Sequence, residues 1–172
     1  MNNQPNYGET NMKENKTFHH DNGNPWLIYE YHPETLNPIK LTECNLEGKP
    51  QRITECDPQT GRKVKKTAYN FICGLDYIKY YDRETGKPTK IIQYYSNGKN
   101  VWYVTEWHPI TGNLISCIFY NKDRTVSSAA QWHPITGQII KYNDYNSAAV
   151  FNIEPEQAIH QKNLDNESKA RI

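Results

Sequence analysis

The chain lacks a surplus of either charge, a long apolar run and any close cysteine pair. Lys and Arg number 20 against 19 Asp and Glu, a net charge of +1, which excludes a global pull toward nucleic acid or anionic membrane. No apolar stretch approaches the roughly 20 residues of a membrane-spanning helix, and no basic segment followed by an apolar core marks a signal peptide. Membrane insertion is therefore not expected. The four cysteines, at positions 44, 56, 73 and 117, form no C-x-x-C pair and favour a reducing, cytosol-like compartment. No nucleophile motif, phosphate-cradling Gly-rich loop or H-E-x-x-H helix is present. Neither catalysis nor a cofactor is expected. Hydrophobic content is 36% and mean hydropathy −0.92, too polar for a large buried core.

What the chain does have is a repeat. Glu106-Trp107-His108-Pro109-Ile110-Thr111-Gly112 returns almost unchanged as Gln131-Trp132-His133-Pro134-Ile135-Thr136-Gly137. Weaker copies are Glu30-Tyr31-His32-Pro33-Glu34-Thr35-Leu36, Glu55-Cys56-Asp57-Pro58-Gln59-Thr60-Gly61 and Tyr80-Tyr81-Asp82-Arg83-Glu84-Thr85-Gly86. The anchoring His or Asp stands at 32, 57, 82, 108 and 133, in steps of 25, 25, 26 and 25 residues. Such a period marks a repeat architecture. The cassette is turn chemistry: Asp or His accepts hydrogen bonds from amides ahead of it, Pro presets φ, and Gly supplies a positive φ. Asn45, Asn70, Asn121 and Asn146 open a second turn thirteen residues after their anchors. Between turns lie strand-favouring stretches such as Ile91-Ile92-Gln93-Tyr94-Tyr95 and Val101-Trp102-Tyr103-Val104-Thr105.

The expected fold is all-β: an antiparallel β-meander of about ten short strands, built from five copies of a 25-residue hairpin repeat. Residues 1–24 are Asn-rich and expected to be a disordered tail, 25–151 to form the repeat domain, and 152–172 a short helix with a polar tail. A register with tight turns places Ile28, Ile53, Ile78, Val104 and Ala129 on the same face as Ile39, Val64, Thr89, Ile115 and Ile140. The opposite face then receives the aromatics and the Lys column 40, 65, 90 and 141. A slip of one residue would exchange the faces of alternate strands.

The aromatic columns supply the candidate partner-binding residues: Tyr81, Tyr94, Trp107, Tyr120, Trp132 and Tyr145. Rigid aromatics suit protein or glycan recognition, and equally suit ladders that hold a single-layer sheet together. Three partners stay open: a protein, a glycan- or choline-type ligand, and further copies of the chain added at open sheet edges. His32, His108 and His133 are not expected to bind metal, because equivalent positions two strands apart are separated by about 10 Å. Glu30, Glu55 and Glu106 stand beside the Lys column and are expected to pair with it across strands. Arg62-Lys63-Val64-Lys65-Lys66 is the one dense basic run, which fits a phosphate contact or simply a solvated strand.

The cassette resembles that of an uncharacterised repeat family of phytoplasmas, a domain of unknown function with Y-D-P-x-T-G-K turns. The residues that carry the resemblance are Cys56-Asp57-Pro58-Gln59-Thr60-Gly61-Arg62, Tyr81-Asp82-Arg83-Glu84-Thr85-Gly86-Lys87 and the two Trp-His-Pro-Ile-Thr-Gly copies, within about residues 30–145. It implies a bacterial, host-interacting protein without known catalytic residues. His replaces Asp in three copies, and Leu36 replaces the turn glycine in the first, so substitution at Leu36 is expected to matter less than at Gly112.

Overall fold

The computed structural model describes residues 14–72 and 74–146. They form one open sheet of eleven antiparallel strands whose spatial order is the chain order, each strand hydrogen-bonded to the next. The strands are β1 (Lys16–His19), β2 (Pro25–Tyr31), β3 (Pro38–Cys44), β4 (Pro50–Cys56), β5 (Lys63–Tyr69), β6 (Leu75–Tyr81), β7 (Pro88–Tyr94), β8 (Val101–Trp107), β9 (Leu114–Tyr120), β10 (Val126–Trp132) and β11 (Ile139–Asp144). The all-β antiparallel meander is as expected. The expected helix within 152–172 lies outside the described residues.

The N-terminal boundary is corrected. Residues 16–19 pair with β2, so the sheet starts upstream of residue 25. Thr17, His19, Gly23 and Pro25 stand 25 residues before Thr42, Cys44, Gly48 and Pro50. The polar composition hid them because a single-layer edge strand buries nothing, and all four residues of β1 are exposed.

No second layer covers the sheet among the described residues, and no large side chain is fully buried. What is buried is small: Thr42, Thr54, Thr67, Ala68, Thr105 and Ala130 within strands, Cys44 at the end of β3, and the turn residue Asp57. Cohesion therefore comes from ladder hydrogen bonds and cross-strand side-chain pairs rather than a hydrophobic core.

Both turn types work as the residues require. The Asp57 carboxylate accepts the amides of Gln59 and Thr60, each at 3.0 Å, and the Thr60 hydroxyl. Asp82 does the same for Glu84 and Thr85. Where His replaces Asp, its Nδ1 accepts instead: from the amides of Thr35, Thr111 and Thr136, each at 3.2 Å. A ring nitrogen thus substitutes for a carboxylate oxygen, which is why the anchor tolerates both. Gly61, Gly86, Gly112 and Gly137 all have φ between 69° and 77°. Leu36 shares that conformation at φ 59°, so the first turn keeps the backbone demand and meets it with the wrong residue.

The hydrogen bonds received by Asp57 and Asp82, first from the Thr60 and Thr85 amides, hold both carboxyls below their ordinary value. A lowered folded-state pKa contributes stability that is complete above the usual carboxylate value of ~4 and is lost as pH falls through the lower folded value. Urea midpoints measured from neutral pH downward should therefore fall in acid. The variant Asp57→Asn/Asp82→Asn should show a shallower fall, and an unchanged slope would deny these caps their role.

Successive turns also clasp each other. The Asn37 side-chain amide donates to the carbonyls of Pro58 and Gln59 at 3.1 and 2.8 Å, and Asn113 repeats this on Pro134 and Ile135. Lys87 Nζ reaches the Ile110 carbonyl at 2.7 Å, and the Arg62 guanidinium reaches that of Glu84. The signal was present in the residue after each turn glycine position, which carries a side-chain N–H donor at 37, 62, 87, 113 and 138.

The face assignment is the main correction. Every strand from β2 to β11 carries a one-residue register shift next to its first residue, as where Glu30 pairs Lys40 but Tyr31 pairs Pro38, or where Glu43 pairs Arg52 but Cys44 pairs Pro50. One extra residue reverses the parity that a tight turn would set. The front face therefore combines the Ile28 column with the Lys40 column, and the back face combines the Ile39 column with the residues just before each anchor.

Candidate functional site

The six aromatics predicted to share one surface do not. Along each strand side chains alternate, and the observed pairing puts Tyr94, Tyr120 and Tyr145 on the front with Lys90, Ser116 and Lys141, while Tyr81, Trp107 and Trp132 lie on the back. The bulges are the physical reason.

On the front, one row crosses the sheet as Glu30, Lys40, Glu55, Lys65, Tyr80, Lys90, Glu106, Ser116, Gln131 and Lys141. Three ion pairs close within it: Lys40–Glu30 at 2.8 Å, Lys65–Glu55 at 2.8 Å and Lys90–Glu106 at 2.9 Å. The expected Glu–Lys pairing across strands is thus present. The hydrogen bond from Lys90 lowers the Glu106 carboxyl below its ordinary value, helped by its charge and by Ser116. That hydroxyl donates at 3.2 Å.

The same face carries a groove of about 500 Å³ between Tyr94 and Tyr120. Ile92 and Tyr94 from β7, Val101 and Val104 from β8 and Tyr120 from β9 form its apolar floor and aromatic walls. Lys99, Asn100 and Arg124 enter from two turns at one end of the strands. Burial, and then the neighbouring Tyr80, push the Tyr94 phenol up from its ordinary value, so it stays a neutral donor. The groove is anchored from beneath by the Tyr95 hydroxyl, which donates to the Tyr120 carbonyl at 2.7 Å.

Arg124 is the unusual residue of the site. It holds φ 74° at the turn position where Gly48 and Gly98 stand elsewhere, at 76° and 65°. In all three turns the residue there donates its amide to the Asn or Tyr three positions back. A left-handed conformation costs a non-glycine residue about 1–2 kcal/mol, and strain of this kind collects at ligand sites. Its Nε meets Asn100 Oδ1 at 3.4 Å. Neither Arg124 nor Lys99 makes an ion pair among the described residues, unlike Lys90. The sequence reading missed both, although Asn121-Lys122-Asp123-Arg124 already showed Arg where a turn glycine belongs.

Among the described residues, no three His, Cys, Asp or Glu side chains converge as a metal site would require, and no helix is long and apolar enough to cross a membrane. Cys44, Cys56 and Cys117 are free thiols, with burial pushing those of Cys44 and Cys56 up from the ordinary value.

Residues 74–118, which contain most of the groove, match the family described as "Protein of unknown function (DUF2963)". A domain of unknown function is thus matched, over a shorter span than the residues expected from the cassette. No curated protein matches the chain. Among solved structures, the chain is similar to TarM, with TM-score 0.41 and 10% identity over 60% of this chain and 20% of that one. It is also similar to accessory secretory protein 1,2 and 3 of Streptococcus pneumoniae, with TM-score 0.41 and 10% identity over 61% and 18%. A third is the GtfA/B complex, with TM-score 0.26 and 11% identity over 86% and 22%. The chain spans about a fifth of the length of these structures.

Proposed function

We propose that this chain is a non-enzymatic β-repeat binding module whose groove between Tyr94 and Tyr120 takes an extended acidic segment of a partner protein. One observation carries the reading: Arg124 occupies a strained glycine position while it and Lys99 bring two uncompensated cations to an apolar, Tyr-walled floor. Apolar side chains of the partner segment would rest on Ile92, Val101 and Val104, and its carboxylates would meet Lys99 and the fork of Arg124. Cationic rims repel a quaternary ammonium ligand, so the choline reading loses ground. A neutral glycan would leave both charges without a partner. The free thiols support a reducing, cytosol-like compartment, and the phytoplasma-like cassette supports a host protein as the partner.

Fluorescence anisotropy with labelled extended peptides tests this. An acidic peptide with interspersed aliphatic residues should bind the full chain, and its lysine-substituted counterpart should not. Lys99→Glu/Arg124→Glu should weaken binding by about tenfold or more, the equivalent of about 1.4 kcal/mol. Binding should also decline with salt, as rim charges are screened. Equal binding of both peptides, or an oligosaccharide alone quenching tryptophan fluorescence, overturns the proposal.

A further inference from the structure

The basic run Arg62–Lys66 is divided by the sheet. Lys65 faces the front and is neutralised by Glu55 Oε1 at 2.8 Å. Lys66 faces the back, directly opposite Lys79 of β6, with Thr54 as its neighbour on the other side. Ile91 is the next residue beyond Lys79, so the row Thr54–Lys66–Lys79–Ile91 contains two adjacent positive charges and no acid. Like charges directly across a ladder destabilise it. Lys63, which pairs with Cys56, joins them: its Nζ lies 5.4 Å from the centre of the Tyr81 ring, and Lys79 Nζ lies 5.6 Å from the same centre. No carboxylate among the described residues pairs with Lys63, Lys66 or Lys79. The acids nearest in the pairing are committed elsewhere, Glu43 to Arg52 at 2.6 Å and Asp57 to Arg83 at 3.4 Å and to its own turn.

The front face is neutralised where the back is not: on the front, the lysines of β3, β5 and β7 each meet a glutamate. On the back the same scaffold holds two ammonium groups over one tyrosine ring and a third lysine directly across the ladder from one of them, with no carboxylate among the described residues paired to any of the three. We propose that Lys63, Lys66, Lys79 and Tyr81 form a binding site for a phosphate dianion carried as a monoester. Opposed lysines on neighbouring strands have Cβ atoms about 5 Å apart, so two ammonium groups can grip different oxygens of one tetrahedral group by charge-assisted hydrogen bonds. Tyr81 offers a ring against which an aromatic ester can lie. This site is on the opposite face from the groove and does not depend on the peptide reading.

The test uses the full chain at low salt, with inorganic phosphate and phenyl phosphate as probes and sodium chloride matched for ionic strength. Calorimetric titration should show binding of both, with phenyl phosphate the tighter, which distinguishes an ester from the free ion. Lys66→Gln/Lys79→Gln should weaken binding by about tenfold or more, whereas Lys65→Gln should leave it unchanged. In the absence of phosphate, Lys66→Gln should raise the melting temperature because it removes the like-charge pair. Phosphate should raise that of the wild-type chain but not of the double variant. Chloride matching the phosphate effect, or the double variant retaining wild-type affinity, overturns the site.

Discussion

Replacing Gly98 with alanine should destabilise the sheet more than the same change at any other turn glycine. Two independent costs meet there. Gly98 sits at φ 65°, which costs an L-residue about 1–2 kcal/mol. A Cβ on Gly98 would also lie 2.4 Å from the Gly74 Cα and 2.7 Å from the Leu75 nitrogen. These are backbone atoms of the preceding turn, held close by the Leu75 amide donating to the Gly98 carbonyl at 3.3 Å. They cannot rotate away, so overpacking adds about 1–3 kcal/mol. Gly86 has the same sign of φ, at 70°, but open space around its Cβ position. Gly86→Ala should therefore show the conformational cost alone. Denaturation midpoints of Gly98→Ala and Gly86→Ala separate the two contributions. Equal losses would mean that the turns at 74 and 98 do not touch in solution. Because each strand contacts only its neighbours, the damage should concentrate in β5–β8 and be seen there by hydrogen exchange.

The second large effect sets two equivalent turns against each other. Gly112 and Leu36 occupy the same position of the cassette, at φ 77° and 59°. Gly112→Val places a β-branched residue in the left-handed region and should cost about 1–3 kcal/mol. Leu36→Gly should move stability in the opposite direction, by about 1 kcal/mol, because it removes strain already present. Leu36 already holds the left-handed φ without a glycine, so Leu36→Val keeps the strain and adds only a β-branch, a smaller change than Gly112→Val. Urea midpoints of the three variants give the answer, and a stabilised Gly112→Val or a destabilised Leu36→Gly would contradict the turn geometry. The same reasoning at Arg124 predicts a trade of stability for binding, since the strain there holds a groove cation in place.

Much of this molecule was written in its residues. The D/H-P-x-T-G cassette determined where turns fall because Pro, Gly and a capping acceptor leave the backbone few alternatives. The 25-residue period and the Tyr, Ile, Val and Thr between turns determined an antiparallel meander. The exchange of His for Asp was legible as capping, and Nδ1 of His32, His108 and His133 does accept turn amides. The Glu–Lys columns predicted the ion pairs. Only the tertiary structure decided the faces. A bulge at the start of each strand adds one residue to the register, and a period-two pattern cannot reveal an insertion of one. That single residue sends Tyr94 and Trp107 to opposite sides and sets Lys66 on the back opposite Lys79. The strand at Lys16–His19 was equally hidden, because an exposed edge strand needs no apolar alternation. The groove was hidden for another reason: Lys99 and Arg124 lie in different turns, and only their closeness across β8 and β9 makes them one site.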